Sequence, residues 1–469
     1  MLWFFFCLAL LVVAYFTYGK IVEKIFVINP NRKTPAHELA DGVDYMSMSN
    51  TKVFLIQLLN IAGLGPVFGP ILGALYGPVA MLWIVIGCIF AGAVHDYFSG
   101  MLSVRSNGAS VPSVVGDHLG KWAKHFMNVF ALLLLVLVGV VFVTGPAKLL
   151  SNLTSLNVLT WVGIIFAYYI LATLMPISKV IGRFYPFFGA LLLFMSFGLT
   201  IGLIMSDKQF YSYGLDFMTN FDTKGLPIWP LLFVTISCGA ISGFHATQSP
   251  LMARCIADEK SGRMIFYGAM ILEGAIALIW CTLGLSFYES SAALQEVISK
   301  STPAGVVHEI STALLGGVGG IIAILGVVIL PITSGDTAFR SARLIIADFF
   351  NMQQKDISKR LLISIPLFAV GIVLSQVDFQ TIWRYFGWAN QTTAAIMLWT
   401  ASAYLYKSGK FHWITTVPAL FMTAVVMTYL AYEKIGFGLD MTVSTVIGIV
   451  CSVVLLVLFF RLPKNAISE

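Results

Sequence analysis

Charge is what this chain has least of. Asp, Glu, Lys and Arg together make up 11% of its 469 residues, whereas soluble domains carry about 25%. With 58% hydrophobic residues and a mean hydropathy of +0.88, that scarcity excludes a soluble protein and leaves little room for a soluble domain. Cysteine is scarce as well. Cys7, Cys88, Cys238, Cys255, Cys281 and Cys451 are scattered through apolar stretches with no CxxC pair, which argues against a disulfide framework or a zinc site. They read as small apolar residues, and no resident metal or cofactor is expected. HExxH, a nucleophile elbow and a DxD-like carboxylate cluster are all missing, so a membrane-embedded enzyme is the reading with least support. The first residues, MLWFFFCLALLVVAYFTYGK, have neither a basic leader nor an A-x-A cleavage site, and read as a transmembrane helix rather than a removable signal.

What is present is long hydrophobic runs. Segments of about twenty apolar residues number thirteen, at 2–19, 53–75, 78–101, 123–146, 158–175, 184–205, 228–250, 264–287, 313–334, 361–377, 382–405, 412–432 and 441–460. The net charge of +6 tests this count. In membrane proteins Lys and Arg favour cytoplasmic loops, so they report topology before they report an anionic partner, and no nucleic-acid partner is expected. With the amino terminus outside, 22 of the 28 basic residues fall in cytoplasmic segments, and only Lys148, Lys208, Lys224, Lys300, Arg384 and Lys434 lie outside. The carboxyl terminus is then cytoplasmic.

Against this helical background, NIAGLGPVFGPILGALYGP at 60–78 holds five glycines and three prolines in nineteen positions. Gly63, Gly65, Pro66, Gly69 and Pro70 disfavour a continuous helix by roughly 9 kcal/mol at about 1 per glycine and 3 per proline. In a bilayer the freed backbone groups must meet protein or line a watery cavity, so the span reads as broken and buried. Close packing of helices through small residues explains the glycines equally well, but not the prolines. SCGAISGFHATQSP at 237–250 interrupts the seventh span similarly. The two breaks lie on spans of opposite direction, each opening a five-span unit. That is the pattern of an inverted repeat whose half-helix ends form substrate and ion sites near the midplane.

The expected fold is therefore an all-α polytopic membrane protein with a five-plus-five inverted repeat in spans 2–6 and 7–11. Its parts are a first helix and cytoplasmic connector (1–50), a first repeat (51–206), an outer loop (207–227), a second repeat (228–406) and two C-terminal helices with a short tail (407–469).

Ionisable side chains at membrane depth are costly and mark candidate sites. Glu273 in GAMILEGAIALIW is the deepest carboxylate by position; it reads as a proton carrier or as a neutral Glu bonded to a neighbouring helix. His245 beside the second break is a substrate donor, a proton relay or a packed histidine. Thr333, Ser334 and Asp336 offer oxygens to a sodium or proton, Asp336 doubling as an N-cap candidate, with Arg340 and Arg343 as cytoplasmic anchors. Asp96 near the inner boundary of span 3 reads as a gate or as a solvated or Arg-paired carboxylate. Asn390 and Gln391 suit interhelical hydrogen bonds, and Trp383 and Trp413 interface anchoring.

DGVDY (41–45), IAGLGPVFGP (61–70), AGAVHDYF (91–98), RSNGAS (105–110), SCGAISGFHA (237–246), PITSGDTAFRSARLIIAD (331–348) and WRYFGWANQT (383–392) together resemble, in order, the carbon starvation protein A (CstA) family of bacterial inner-membrane transporters. The resemblance implies a leucine-transporter-like core and uptake of peptides or pyruvate, with proton coupling for pyruvate carriers. This chain resembles a short form, and it carries Ile56 and Gln57 where long members tend to have a His pair, so no proton role passes to those positions.

The expected mechanism is alternating access. Gly63, Gly65, Val67, Phe68, Ser242, Gly243, Phe244 and His245 would surround a small anionic or zwitterionic substrate, its carboxylate facing N–H groups at a half-helix start. Glu273, or Thr333 and Ser334 with Asp336, would carry the coupling ion. A passive channel, and a nutrient sensor on the same fold, are the competing classes.

Overall fold

The structure is a computed structural model that describes residues 1–42, 45–174, 177–208, 210–211, 218–350, 352–354 and 356–463, with no side chains described between 175 and 186. Parts of the DGVDY motif, of the outer loop and of the carboxyl-terminal tail lie outside the described residues. Helices make up the regular structure, and no strand occurs among the described residues.

Helix occupies each of the thirteen expected segments. Nine helices among the described residues are long and apolar enough to cross a membrane, and Asn50–Ile61 with Gly65–Tyr76, bent by 46°, makes a tenth. The others differ for physical reasons. Val158–Leu174 is short. Phe379–Lys407 is long but carries the polar WANQT stretch inward. The seventh segment is two short helices, Ile228–Thr235 and Gly243–Ala253. The helical run Ser291–Phe349 turns at Thr302 and Gly316, where φ is 61° and 69°. Its last piece therefore extends well beyond the expected 313–334, and Asp336, inside that piece, is not an N-cap.

The charge partition is realised as two ends of the bundle. At one end the buried Glu259 carboxylate accepts from Arg105 Nε and Nη2 (both 3.1 Å) and from the Asn29 N–H (2.7 Å). Arg263 pairs with Glu23 at 3.1 Å, and Lys407 Nζ donates to the His118 carbonyl (2.7 Å). At the other end Lys148 lies over Phe379, Lys208 lies over Phe287, and the Phe221 N–H reaches the Tyr76 carbonyl. Every member of the first group belongs to a segment read as cytoplasmic, and every member of the second to one read as external or, for Phe287, to the external end of its span. Arg340 and Arg343 depart from the expected pattern. They are 8% and 5% exposed, inside the bundle rather than anchoring it at the surface.

Between the ends lie the breaks. Met48 N–H bonds the Cys255 carbonyl at the first end. The first broken pair thus runs from that end to Tyr76, and the second runs back. In the first pair the break is Ala62–Leu64. Pro66 opens the next helix, where a missing N–H costs nothing, and Pro70 sits inside it. Only one of the two prolines therefore marks the break. In the second pair, Gly239 has φ +86°, and a Cβ there would collide with Ala277; both backbone conformation and space demand glycine. The freed backbone groups are met by one side chain. Asn390 Nδ2 donates to the Ser237 carbonyl (2.6 Å), while its Oδ1 accepts from the Phe244 N–H (2.7 Å) and the Ser242 hydroxyl (3.2 Å). Next to it, Gln391 Nε2 donates to the Phe233 carbonyl at 2.7 Å.

Candidate functional site

The Gly243–Ala253 helix starts at the second break and carries His245 in its first turn. Opposite it, a π-helical turn at Cys88–Gly92 leads into Ala93–Arg105, a local widening that often accompanies functional side chains. This helix presents Asp96. A third helix, Gly268–Phe287, presents Glu273 from its interior.

The three side chains meet fully buried. His245 Nδ1 lies 2.8 Å from Asp96 Oδ2, and His245 Nε2 lies 3.2 Å from Glu273 Oε2. Asp96 Oδ1 takes a second imidazole, His95 Nδ1, at 2.8 Å. An ionised Asp96 accepts only, so each histidine donates through Nδ1. The His245–Glu273 approach is short but not aligned as a hydrogen bond, and the Gly239 backbone N–H also faces the Glu273 carboxylate. Either Nε2 holds a second proton against an ionised Glu273, or a protonated Glu273 offers its O–H to Nε2. In both cases a single proton lies between these two groups. Glu273 thus faces a titratable imidazole, and Asp96 is neither solvated nor Arg-paired, as the sequence had left open.

Cys238 adds a thiol at the same place. Its Sγ, a His245 ring nitrogen and a Glu273 oxygen all lie within 4.8 Å of one another, and sulfur, imidazole and carboxylate form a donor set that divalent transition metals accept.

The residues expected to surround substrate are brought together but close-packed. A Cβ on Gly63 would stand 2.6 Å from the Phe142 ring, Gly65 abuts Cys238, and Gly243 abuts the Asn390 carbonyl. Val67 and Phe68 are buried; the Phe68 ring lies 6.1 Å from Phe379 and 6.2 Å from Trp383. Phe244 stands edge-on to Phe142 at 5.8 Å. The glycines therefore serve close approach as well as the break. Trp383, 5% exposed, belongs to this aromatic cluster rather than to the membrane interface.

The second ion-site candidate is dispersed. Thr333 donates to the Leu330 carbonyl within its own helix, whereas Ser334 crosses to the Leu59 carbonyl at 3.0 Å, beside the first break. Asp336 pairs with Arg340 at 3.6 Å. Sequence reasoning missed His95 and Cys238, which stand directly in the motifs around Asp96 and His245. Gln57, singled out in the sequence only as the place of a His pair in long family members, is fully buried with no partner for either amide atom among the described residues.

Two oppositely directed broken helices, with titratable groups buried where they meet, define a membrane transporter of the leucine-transporter-like fold. Solved structures agree on the fold. A manganese transporter from Eremococcus coleocola, in mutant form, superposes with a TM-score of 0.59 at 12% identity, covering 90% of this chain and 97% of that one. Mhp1 in its inward-facing conformation gives 0.52 at 15% identity, covering 89% and 93%.

The sequence profile of carbon starvation protein CstA matches residues 1–152, 144–313 and 286–429, and the chain belongs to that family. An uncharacterized membrane protein of Haemophilus influenzae is 57% identical over 350 residues, covering 64% of this chain and 94% of its own. The peptide transporter CstA of Bacillus subtilis is 27% identical, covering 98% of this chain and 95% of its own. The pyruvate/proton symporter BtsT of Escherichia coli is 26% identical, covering 55% of this chain and 45% of its own. These relatives are transporters where they are named, and this chain is a multi-pass membrane transporter rather than an enzyme.

Proposed function

We propose that the chain is a secondary active transporter that imports peptides or pyruvate across a bacterial inner membrane by alternating access, coupled to protons and without a resident metal. The observation that supports this reading is His245 held between Asp96 and Glu273, fully buried and in the first turn after the break. There a change of protonation and a movement of the half-helix Gly243–Ala253 act on the same residue. The amino terminus is outside and the carboxyl terminus cytoplasmic in this reading, following the basic residues. Asp336 is the weaker proton site because Arg340 already offsets its charge. Sodium is the second reading, favoured by the Ser334 hydroxyl on the Leu59 carbonyl at the end of a half-helix.

Purified protein in vesicles with an imposed inward proton gradient should accumulate alanyl-alanine or pyruvate, and Glu273→Gln should lose that accumulation while still exchanging substrate down its gradient. Full accumulation by Glu273→Gln would remove Glu273 as the proton carrier. Metal analysis of the same preparation should find transition metal far below one equivalent. A stoichiometric metal lost in Cys238→Ser would instead make His245 and Glu273 ligands.

A further inference from the structure

A cavity of about 450 Å³ opens at the end of the bundle that carries Lys148, Lys208 and Lys434. Its lining includes Tyr76, Thr235, Arg384, Tyr429, Glu433 and Lys434. Two of these tie it to the transport core. Tyr76 ends the far half of the first broken pair, and Thr235 ends the near half of the second, so both broken helices meet in its floor. At the opposite end, the pocket against Gly243–Ala253 has only about 20 Å³.

The wall carries both signs of charge. Arg384 projects from the second turn of Phe379–Lys407, and Glu433 follows the last residue of Trp413–Tyr432. Arg384 Nη1 and Glu433 Oε2 are 3.9 Å apart, with side chains 54% and 14% exposed. At that separation they attract without a hydrogen bond, and each keeps capacity for a new partner. A carboxylate fits the guanidinium fork, and an ammonium fits the Glu433 oxygens, with the Tyr76 and Tyr429 rings beside them. The volume falls within the range of small-molecule sites, about 300–1,000 Å³. A small keto acid would use only the cations and would meet Glu433 as a like charge.

We propose that this vestibule is an outer docking site for a zwitterion of di- or tripeptide size, its carboxylate on Arg384 and Lys434 and its amino group on Glu433. It rests on the importer reading above and selects the peptide class within it.

The test is binding of alanyl-alanine to the purified full chain by calorimetry, against N-acetyl-alanyl-alanine, alanyl-alanine amide and pyruvate. The expected result is that either cap weakens binding about tenfold or more, as loss of a charge-assisted pair does. Arg384→Gln, which leaves Lys434, should lose most of the discrimination against the amide, and Glu433→Gln should stop discriminating against the acetyl form. Arg384→Lys, which keeps the charge, should recover part of the first preference. Because each variant loses one preference and keeps the other, misfolding cannot imitate the pattern. Capped and free peptides binding alike, no dipeptide binding, or displacement by equimolar pyruvate would each overturn the proposal. Absence of the pattern with gradient-driven uptake intact rejects the vestibule and leaves the importer; the pattern without accumulation rejects the importer and leaves the docking site.

Discussion

At the residue scale the decisive group is Asp96, because one carboxylate orders two imidazoles. Its oxygens accept from His95 and His245, each at 2.8 Å, which leaves His245 Nε2 turned to Glu273. A carboxylate behind an imidazole fixes which ring nitrogen carries the proton. Asp96→Asn keeps the volume but replaces one acceptor with a donor. Gradient-driven uptake by Asp96→Asn should fall at least tenfold with the protein still monodisperse, whereas His95→Gln, which keeps a polar group beside Asp96, should lose less. Uptake by Asp96→Asn equal to wild type would show that the His245 tautomer is immaterial to transport. The candidate residues themselves were legible: His245 and Glu273 stood out as ionisable groups at membrane depth. Their contact was not, because it joins residues from three helices, and neither residue's local pattern refers to the other.

Among the elements, the second broken pair depends on Phe379–Lys407 more than on its own sequence. Asn390 satisfies the Ser237 carbonyl and the Phe244 N–H, groups that lipid could not serve. Leaving two buried backbone groups unpaired costs roughly 2–6 kcal/mol at about 1–3 each. Asn390→Ala should therefore lower the apparent melting temperature in detergent more than Gln391→Ala, which removes the single bond to Phe233. The reverse order would mean that the break is held by packing alone. The first break teaches a related lesson. Its glycines and prolines announced an interruption, and one occurs, yet Pro70 continues within a helix. Glycine composition could not distinguish backbone rupture from close approach, and Gly65 against Cys238 shows that both operate.

For the whole molecule, the two ends provide the test of orientation. Single cysteines introduced at Lys224 or Lys434 in a background lacking the native thiols should react with an impermeant maleimide in intact cells, while cysteines at Lys260 or Lys410 should react only after permeabilisation. The opposite pattern would invert the topology and place the vestibule on the cytoplasmic side. The sequence by itself determined the membrane class, the segments that become helices, the partition of charge between the ends and the two breaks. Each of these follows from local composition acting against a uniform solvent, the bilayer. Only the tertiary structure decided that Asp96, His95, His245 and Glu273 form one buried chain, that Arg340 and Arg343 lie inside, that the glycines at the breaks are packed, and that a cavity opens beside Tyr76, Arg384 and Glu433. Those facts depend on which helix faces stand opposite each other across the bundle, and hydropathy, which measures only affinity for lipid, carries no record of that choice.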